Sequence, residues 1–178
     1  DLDHVLAGVI LEAAPVSLDI CTRGDCTQSS VARLLREKLK GVAAPGVAFN
    51  LDPVGEELRF GSIGQDDEYD ASMFTALGLN NLPHARFLRA DSRIVHEAGG
   101  SEAQEIAYAL HCGIRYLRGL EPRALGIEDS ARAISFAVAV GSDALIEAAK
   151  LRALRLCWAR VLEASGAAPE HRAAHIHA

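Results

Sequence analysis

The sequence predicts an α/β chain of about five parallel strands alternating with helices, arranged as an open sheet or as an incomplete (β/α)8 TIM-barrel. Two observations carry this prediction. Short apolar runs alternate with longer segments of helical period, and parallel strands need a crossover connector, usually a helix. Polar residues also gather where the strands end, at Asp19, at Asn50 with Asp52, and at Asp91, which is where barrels and open α/β sheets carry their working rim. A closed barrel takes eight strands and about 250 residues, whereas this sequence has 178.

In chain order, "PVSLDI" (15–20) sets Val16, Leu18 and Ile20 on one strand face and Ser17 and Asp19 on the other. "SSVARLLREKLKG" (29–41) spaces Val31, Leu34, Leu35 and Leu39 for a helix that Gly41 stops. "GVAFNLD" (46–52) is an apolar run suited to a strand buried on both faces. Helices are predicted through "PVGEELRFG" (53–61) and "DEYDASMFTALGL" (67–79), and "ARFLRAD" (85–91) is the third strand. Ser101 with Gln104 forms a capping box at the start of a long helix. Its expected buried stripe is Ala103, Ile106, Ala107, Leu110, Ile114 and Leu117, with Gly119 at its end. The second half of "ARAISFAVAVG" (131–141) is read as a strand ending at Gly141. A helix over 142–166 is expected to face Ile146, Ala149, Ala153, Cys157 and Val161 inward, and "AAHIHA" begins a last strand. No repeat or linker divides the chain, so residues 1–178 are expected to form a single domain.

With 49% hydrophobic and 24% charged residues, the composition is that of an ordinary soluble domain. A net charge of −6 argues against nucleic-acid binding. No run approaches the roughly 20 apolar residues of a membrane span, and "DLDHVLAGVILEAAPV" is acidic where a secretory signal is basic. A reduced, cytoplasmic setting is therefore expected. Cys112 and Cys157 read as buried free thiols in helices. "CTRGDC" could close a small disulfide or hold a metal, but it lacks paired Cys-x-x-Cys spacing. The Arg-Gly-Asp inside it does not support adhesion in such a chain.

"IEAAKLRALRLCWARV" (146–161) and "HEAGGSEAQEIAYALHCGIRYL" (96–117) resemble two segments of the methylmalonyl-CoA mutase family. The first is similar to its Glu-x-Ala-Lys-x-Arg-Ala-x-Arg-x-x-Trp helix. The second is similar to its strand-to-helix segment with Glu-Ala-Gly and Gln-Glu-x-Ala. "PVSLDI", "GVAFNLDPVGEEL" and "HIHA" fall in the order of neighbouring strands. The resemblance implies the incomplete barrel, covering roughly the third strand to the start of the seventh. It also implies radical rearrangement of acyl-CoA thioesters with adenosylcobalamin, a cofactor that generates the radical while the barrel orients the substrate. The family's cobalt-ligating Asp-x-His-x-x-Gly pattern is absent from this sequence, so the cofactor is expected in the holoenzyme and not on this chain.

The resemblance also locates the catalytic positions. Catalytic members read Gly-Tyr-His-x-x-Glu-Ala-Gly, and aligning Glu97, Ala98 and Gly99 puts Ile94 in the His position and Arg93 in the Tyr position. Isoleucine neither donates nor transfers a proton. The family's Gln-Asn-Asp strand end aligns with Asn50, Leu51 and Asp52. Its substrate-carboxylate Arg then falls on Phe60, although a gap would bring Arg59 there. No catalytic residue is expected. Asn50, Asp91 and His177 are the substrate-contact candidates, His177 because it aligns with a substrate-side His.

Several features have plainer readings beside their functional ones. The turn Ala98-Gly99-Gly100-Ser101 could cradle a phosphate, but a short turn needs glycine for backbone reasons alone. His171, His175 and His177 could bind a transition metal, yet no Cys or carboxylate completes the set, so none is expected. Glu97 reads as a solvated or capping carboxylate. Arg152 and Arg155 with Glu147 and Lys150 read as a charged helix face, and Trp158 as core or interface packing.

The resemblance as a whole implies a non-catalytic small-subunit chain, a fragment or a shortened paralogue, that completes a heterodimer with a catalytic large subunit or self-associates. The alternatives are a barrel piece that still binds an acyl-CoA, and a small-molecule or metal module built on the histidine tail.

Overall fold

Val47–Leu51 forms a strand because its apolar residues meet packing on both sides; only Ala48 is less than fully buried. A computed structural model describes residues 2–11, 13–14, 16–19, 33–35, 37, 39, 46–61, 85–123 and 125–178. Five strands, β1 (Val16–Ser17), β2 (Val47–Leu51), β3 (Arg86–Asp91), β4 (Ile134–Ala137) and β5 (Ile176–His177), form one parallel sheet in sequential order. A doubly wound sheet reverses its strand order at a switch point. Here every connection steps one strand onward, so the sheet curls as part of an α/β barrel, as expected.

The helices among the described residues are α1 (Leu2–Val5), α2 (Pro53–Phe60), α3 (Arg93–Glu97), α4 (Glu102–Leu120), α5 (Ile127–Ala133) and α6 (Ala144–Ala164). Their starts follow local chemistry. Asp52 caps α2 by accepting from the Gly55 N–H at 3.1 Å, with Pro53 in the first turn, where a missing N–H costs nothing. The expected capping box opens α4: the Ser101 N–H donates to Gln104 Oε1 at 2.9 Å and the Gln104 N–H donates to Ser101 Oγ. Asp143 caps α6 through the N–H groups of Leu145 and Ile146.

Register shows which sheet face the helices cover. Ala90 pairs with Phe136, and the Phe136 ring meets Trp158 of α6 edge-on at 4.9 Å. Leu88, Ala90 and Phe136 therefore face the helices, while Phe87, Arg89 and Asp91 project from the other face of β3. A Cβ on Gly113 of α4 would stand 2.8 Å from the Trp158 ring and 3.2 Å from Phe136. Glycine there lets α4 lie close to both.

The structure corrects several sequence expectations. On α4 the buried residues are Glu105, Ala109, Cys112, Gly113, Tyr116, Leu117 and Leu120. Of the expected stripe only Leu117 is buried. Small residues permit close approach on the face that won, and Glu105 finds a cation there. On α6 the buried face runs Glu147, Lys150, Leu154, Trp158 and Leu162, one residue on from the expected stripe. Trp158 has the largest surface to bury, so it sets the rotation. Cys157 is consequently exposed, whereas Cys112 is buried as expected, and both are free thiols. Glu147 and Lys150 do pair, but inside the protein rather than on a solvated face. β4 ends at Ala137, not Gly141, because side chains capture the N–H groups of Ala139 and Gly141 beyond it. α4 runs one residue past Gly119. Residues 33–35 and 37 are helical as expected, with Leu35 and Leu39 buried and Leu34 exposed. The predicted helix at 67–79 and the stretch "CTRGDC" lie outside the described residues.

Candidate functional site

The carboxyl ends of β1, β2 and β3 bring together the polar residues that the sequence singles out. Asn50 has φ +51°, in the left-handed region that asparagine tolerates better than most residues. Its amide donates to Ser17 Oγ at 2.9 Å and to the Leu18 carbonyl at 2.6 Å. Its described contacts therefore fasten the two-residue β1 to β2.

Asp91 is 1% exposed and lies at the centre of an ionic network. Arg93 grips it with two bonds, Nε to Oδ1 at 2.8 Å and Nη2 to Oδ2 at 2.5 Å. Arg89 Nη2 lies 3.3 Å and Arg59 Nη2 3.5 Å from the same Oδ2. Arg89 also donates to Asp19 Oδ1 at 2.8 Å, and Arg93 reaches the other Asp19 oxygen at 3.6 Å. Burial works against the Asp91 carboxylate, but Arg93, Arg89 and Arg59 outweigh it and hold its pKa below the ordinary value. Asp19 is lowered as well, chiefly by its hydrogen bond from Arg89. The guanidiniums and carboxylates of this rim are thus engaged with one another.

Asp52 points the other way, toward the helix layer. It is 1% exposed and accepts the Tyr116 hydroxyl at 2.5 Å, with Arg59 Nη1 3.9 Å from its Oδ2. Burial raises its pKa to about 6, against the lowering effect of Tyr116 and the Gly55 N–H.

Ile94 lies half-buried on α3, beside Arg93, and Phe60 is the last residue of α2. Arg59 sends its guanidinium to Asp91 and Asp52. His177 is exposed at the end of β5, across the sheet from the Asp91 network, and its carbonyl accepts the Val138 N–H. Glu97 is exposed at the end of α3. Gly99 has φ +85°, and a Cβ on Gly100 would strike Val95, so backbone geometry accounts for both glycines. His171 stands 3.4 Å from Glu128. Among the described residues no three His, Cys, Asp or Glu side chains converge as metal ligands.

The sequence reading missed Arg89 and Tyr116. A signal for Arg89 was present: arginine and aspartate two residues apart in "RFLRAD" share one strand face, where opposite charges can pair. Nothing local marks Tyr116, because its partner lies 64 residues away.

Comparison with known proteins follows the same direction. A family model described as methylmalonyl-CoA mutase matches residues 69–178. The methylmalonyl-CoA mutase small subunit of Streptomyces virginiae is 37% identical over 93% of this chain and 27% of its own length. A probable methylmalonyl-CoA mutase small subunit of Mycobacterium tuberculosis is 33% identical over 99% of this chain and 28% of its own. The methylmalonyl-CoA mutase large subunit of Streptomyces virginiae is 39% identical, but over 46% of this chain and 11% of its own length. The chain therefore spans little more than a quarter of the small subunits it matches.

Proposed function

The chain belongs to the methylmalonyl-CoA mutase family, and from that premise we propose that it is a non-catalytic structural part of a mutase small subunit. In this reading it supports the isomerisation of methylmalonyl-CoA and succinyl-CoA by a catalytic large-subunit partner. The observation that carries the reading is the rim around Asp91. At the position aligned with the family's histidine stands Ile94, which has no proton to exchange, and its neighbour Arg93 is bound bidentately to Asp91. A substrate carboxylate would have to displace Asp19 or Asp91 from arginines that already hold them.

Adenosylcobalamin supplies the radical in this chemistry, and it is assigned to the partner. The residues of this chain do not fit it: no Asp-x-His-x-x-Gly pattern offers a cobalt ligand, and the described rim is occupied by its own ion pairs. Residues 1–178 are read as part of one acyl-CoA mutase barrel domain in a cytoplasmic protein. No helix among the described residues is long and apolar enough to cross a membrane.

Native mass spectrometry of the chain co-expressed with a catalytic mutase chain from the same source tests the proposal. The expected result is a one-to-one complex with the cofactor on the larger partner. Absence of any complex would sink it. A second reading, a barrel piece that still binds an acyl-CoA, draws on the three guanidiniums gathered at the rim. Saturable binding of succinyl-CoA by this chain, lost in Arg59→Ala, would favour it.

A further inference from the structure

The two motifs that carry the family resemblance meet at a buried ionic group outside the rim network. Glu105 belongs to the 96–117 motif and Glu147 and Lys150 to the 146–161 motif, and these residues are 0%, 6% and 2% exposed. Lys150 Nζ lies 2.9 Å from Glu105 Oε2 and 2.7 Å from Glu147 Oε2, and it donates to the Ala139 carbonyl at 2.7 Å. An ammonium has three donors, and these contacts use all three.

Each carboxylate has a second task. Glu105 Oε1 accepts the Ala139 N–H at 2.7 Å, and Glu147 Oε1 accepts the Gly141 N–H at 2.9 Å. Ala139 is therefore held through both its N–H and its carbonyl. On the neighbouring strand end, Ser92 donates to the Ala137 carbonyl from its N–H at 2.9 Å and from its hydroxyl at 2.8 Å. That hydroxyl lies 3.5 Å from Glu105 Oε1.

We propose that Glu105, Lys150 and Glu147 form a buried clasp that couples the loops following β3 and β4, so that these rim segments open and close as one unit. Buried charges are costly unless each is paired and hydrogen-bonded. Two carboxylates against one ammonium leave an excess negative charge, and the N–H groups of Ala139 and Gly141 are the donors that satisfy it. The loop after β4 thus completes the clasp as much as the clasp holds the loop. Ser92, bonded twice to Ala137 at the end of β4 and with its hydroxyl 3.5 Å from Glu105 Oε1, brings the start of the loop after β3 into the same unit. The inference rests on this geometry alone and holds whatever chemistry the rim serves.

Amide hydrogen exchange of the whole chain, read residue by residue by NMR, tests the coupling. In Lys150→Met the amides of Ala139, Gly141 and Ser92 should exchange faster together, by about tenfold or more, while those of Phe87–Ala90 keep their protection. Acceleration at Ala139 and Gly141 with Ser92 unchanged would overturn the proposal, as would no change at any of the three. Should Lys150→Met fail to fold, Glu147→Gln keeps one oxygen for the Gly141 N–H and replaces the one facing Lys150 with an amide N–H donor, so it removes the charge and the Lys150 contact together. It should accelerate the same three amides by a smaller common factor. Acceleration confined to Gly141 would overturn the proposal.

Discussion

Asp52 shows how one side chain can serve folding and still oppose it. As a cap it satisfies the Gly55 N–H, and as an acceptor it satisfies Tyr116, yet burial raises its pKa from 3.8 to about 6. A carboxyl whose folded pKa is raised favours the folded state most when protonated. Its contribution is fully present below its unfolded pKa and lost as the pH rises through about 6. Two pKa units correspond to roughly 3 kcal/mol, an order of magnitude for this group. Asp52→Asn keeps an oxygen for both partners and removes the charge. Urea denaturation should show the variant gaining on the parent chain as the pH rises from about 4 to about 6 and holding that gain above it, with little difference below pH 4. Equal pH profiles would mean that Asp52 stays ionised without penalty. Asp91 has the opposite sign: its lowered pKa makes its contribution one that is lost as the pH falls through its folded value.

At the scale of elements, α4 and α6 depend on close approach as much as on hydrophobicity. Phe136, Trp158 and Gly113 interlock at van der Waals distance. Adding one methyl group in Gly113→Ala leaves the aromatic rings no room, because interiors are packed at crystal density. The expected cost is about 1–3 kcal/mol, and Trp158, the only tryptophan, reports it directly. Thermal unfolding should shift downward, and Trp158 emission should move to the red as its packing loosens. An unchanged melting temperature and spectrum would show that α4 can slide without penalty. The capping box at Ser101 and Gln104 belongs to this scale too, and it was readable because its groups lie three residues apart.

Across the whole molecule the parallel, sequential sheet leaves β1 and β5 each with one neighbour among the described strands. Open edges present backbone donors and acceptors that pair with another chain unless covered. The polypeptide of 178 residues, alone in solution, should therefore self-associate with rising concentration in size-exclusion chromatography. A catalytic mutase chain should suppress that self-association by taking its place. A monomer at all concentrations would count heavily against both the covered-edge argument and the subunit reading.

The sequence by itself determined the α/β class of the fold, the approximate places of the strands, the start of α4 and the isoleucine at position 94. These follow from period, caps and residue identity, which act over a few positions. Only the tertiary structure decided which faces of α4 and α6 turn inward, where β4 ends, and that Asp91 is enclosed by Arg59, Arg89 and Arg93. Both helices carry apolar residues on more than one side, so local period does not select a face. The selection came from Trp158 seeking burial, from Gly113 allowing it, and from Lys150 neutralising Glu105 at a distance of 45 residues in the chain. Such pairings form only once the chain is folded, because their energy depends on burial and on partners that no short stretch of sequence contains.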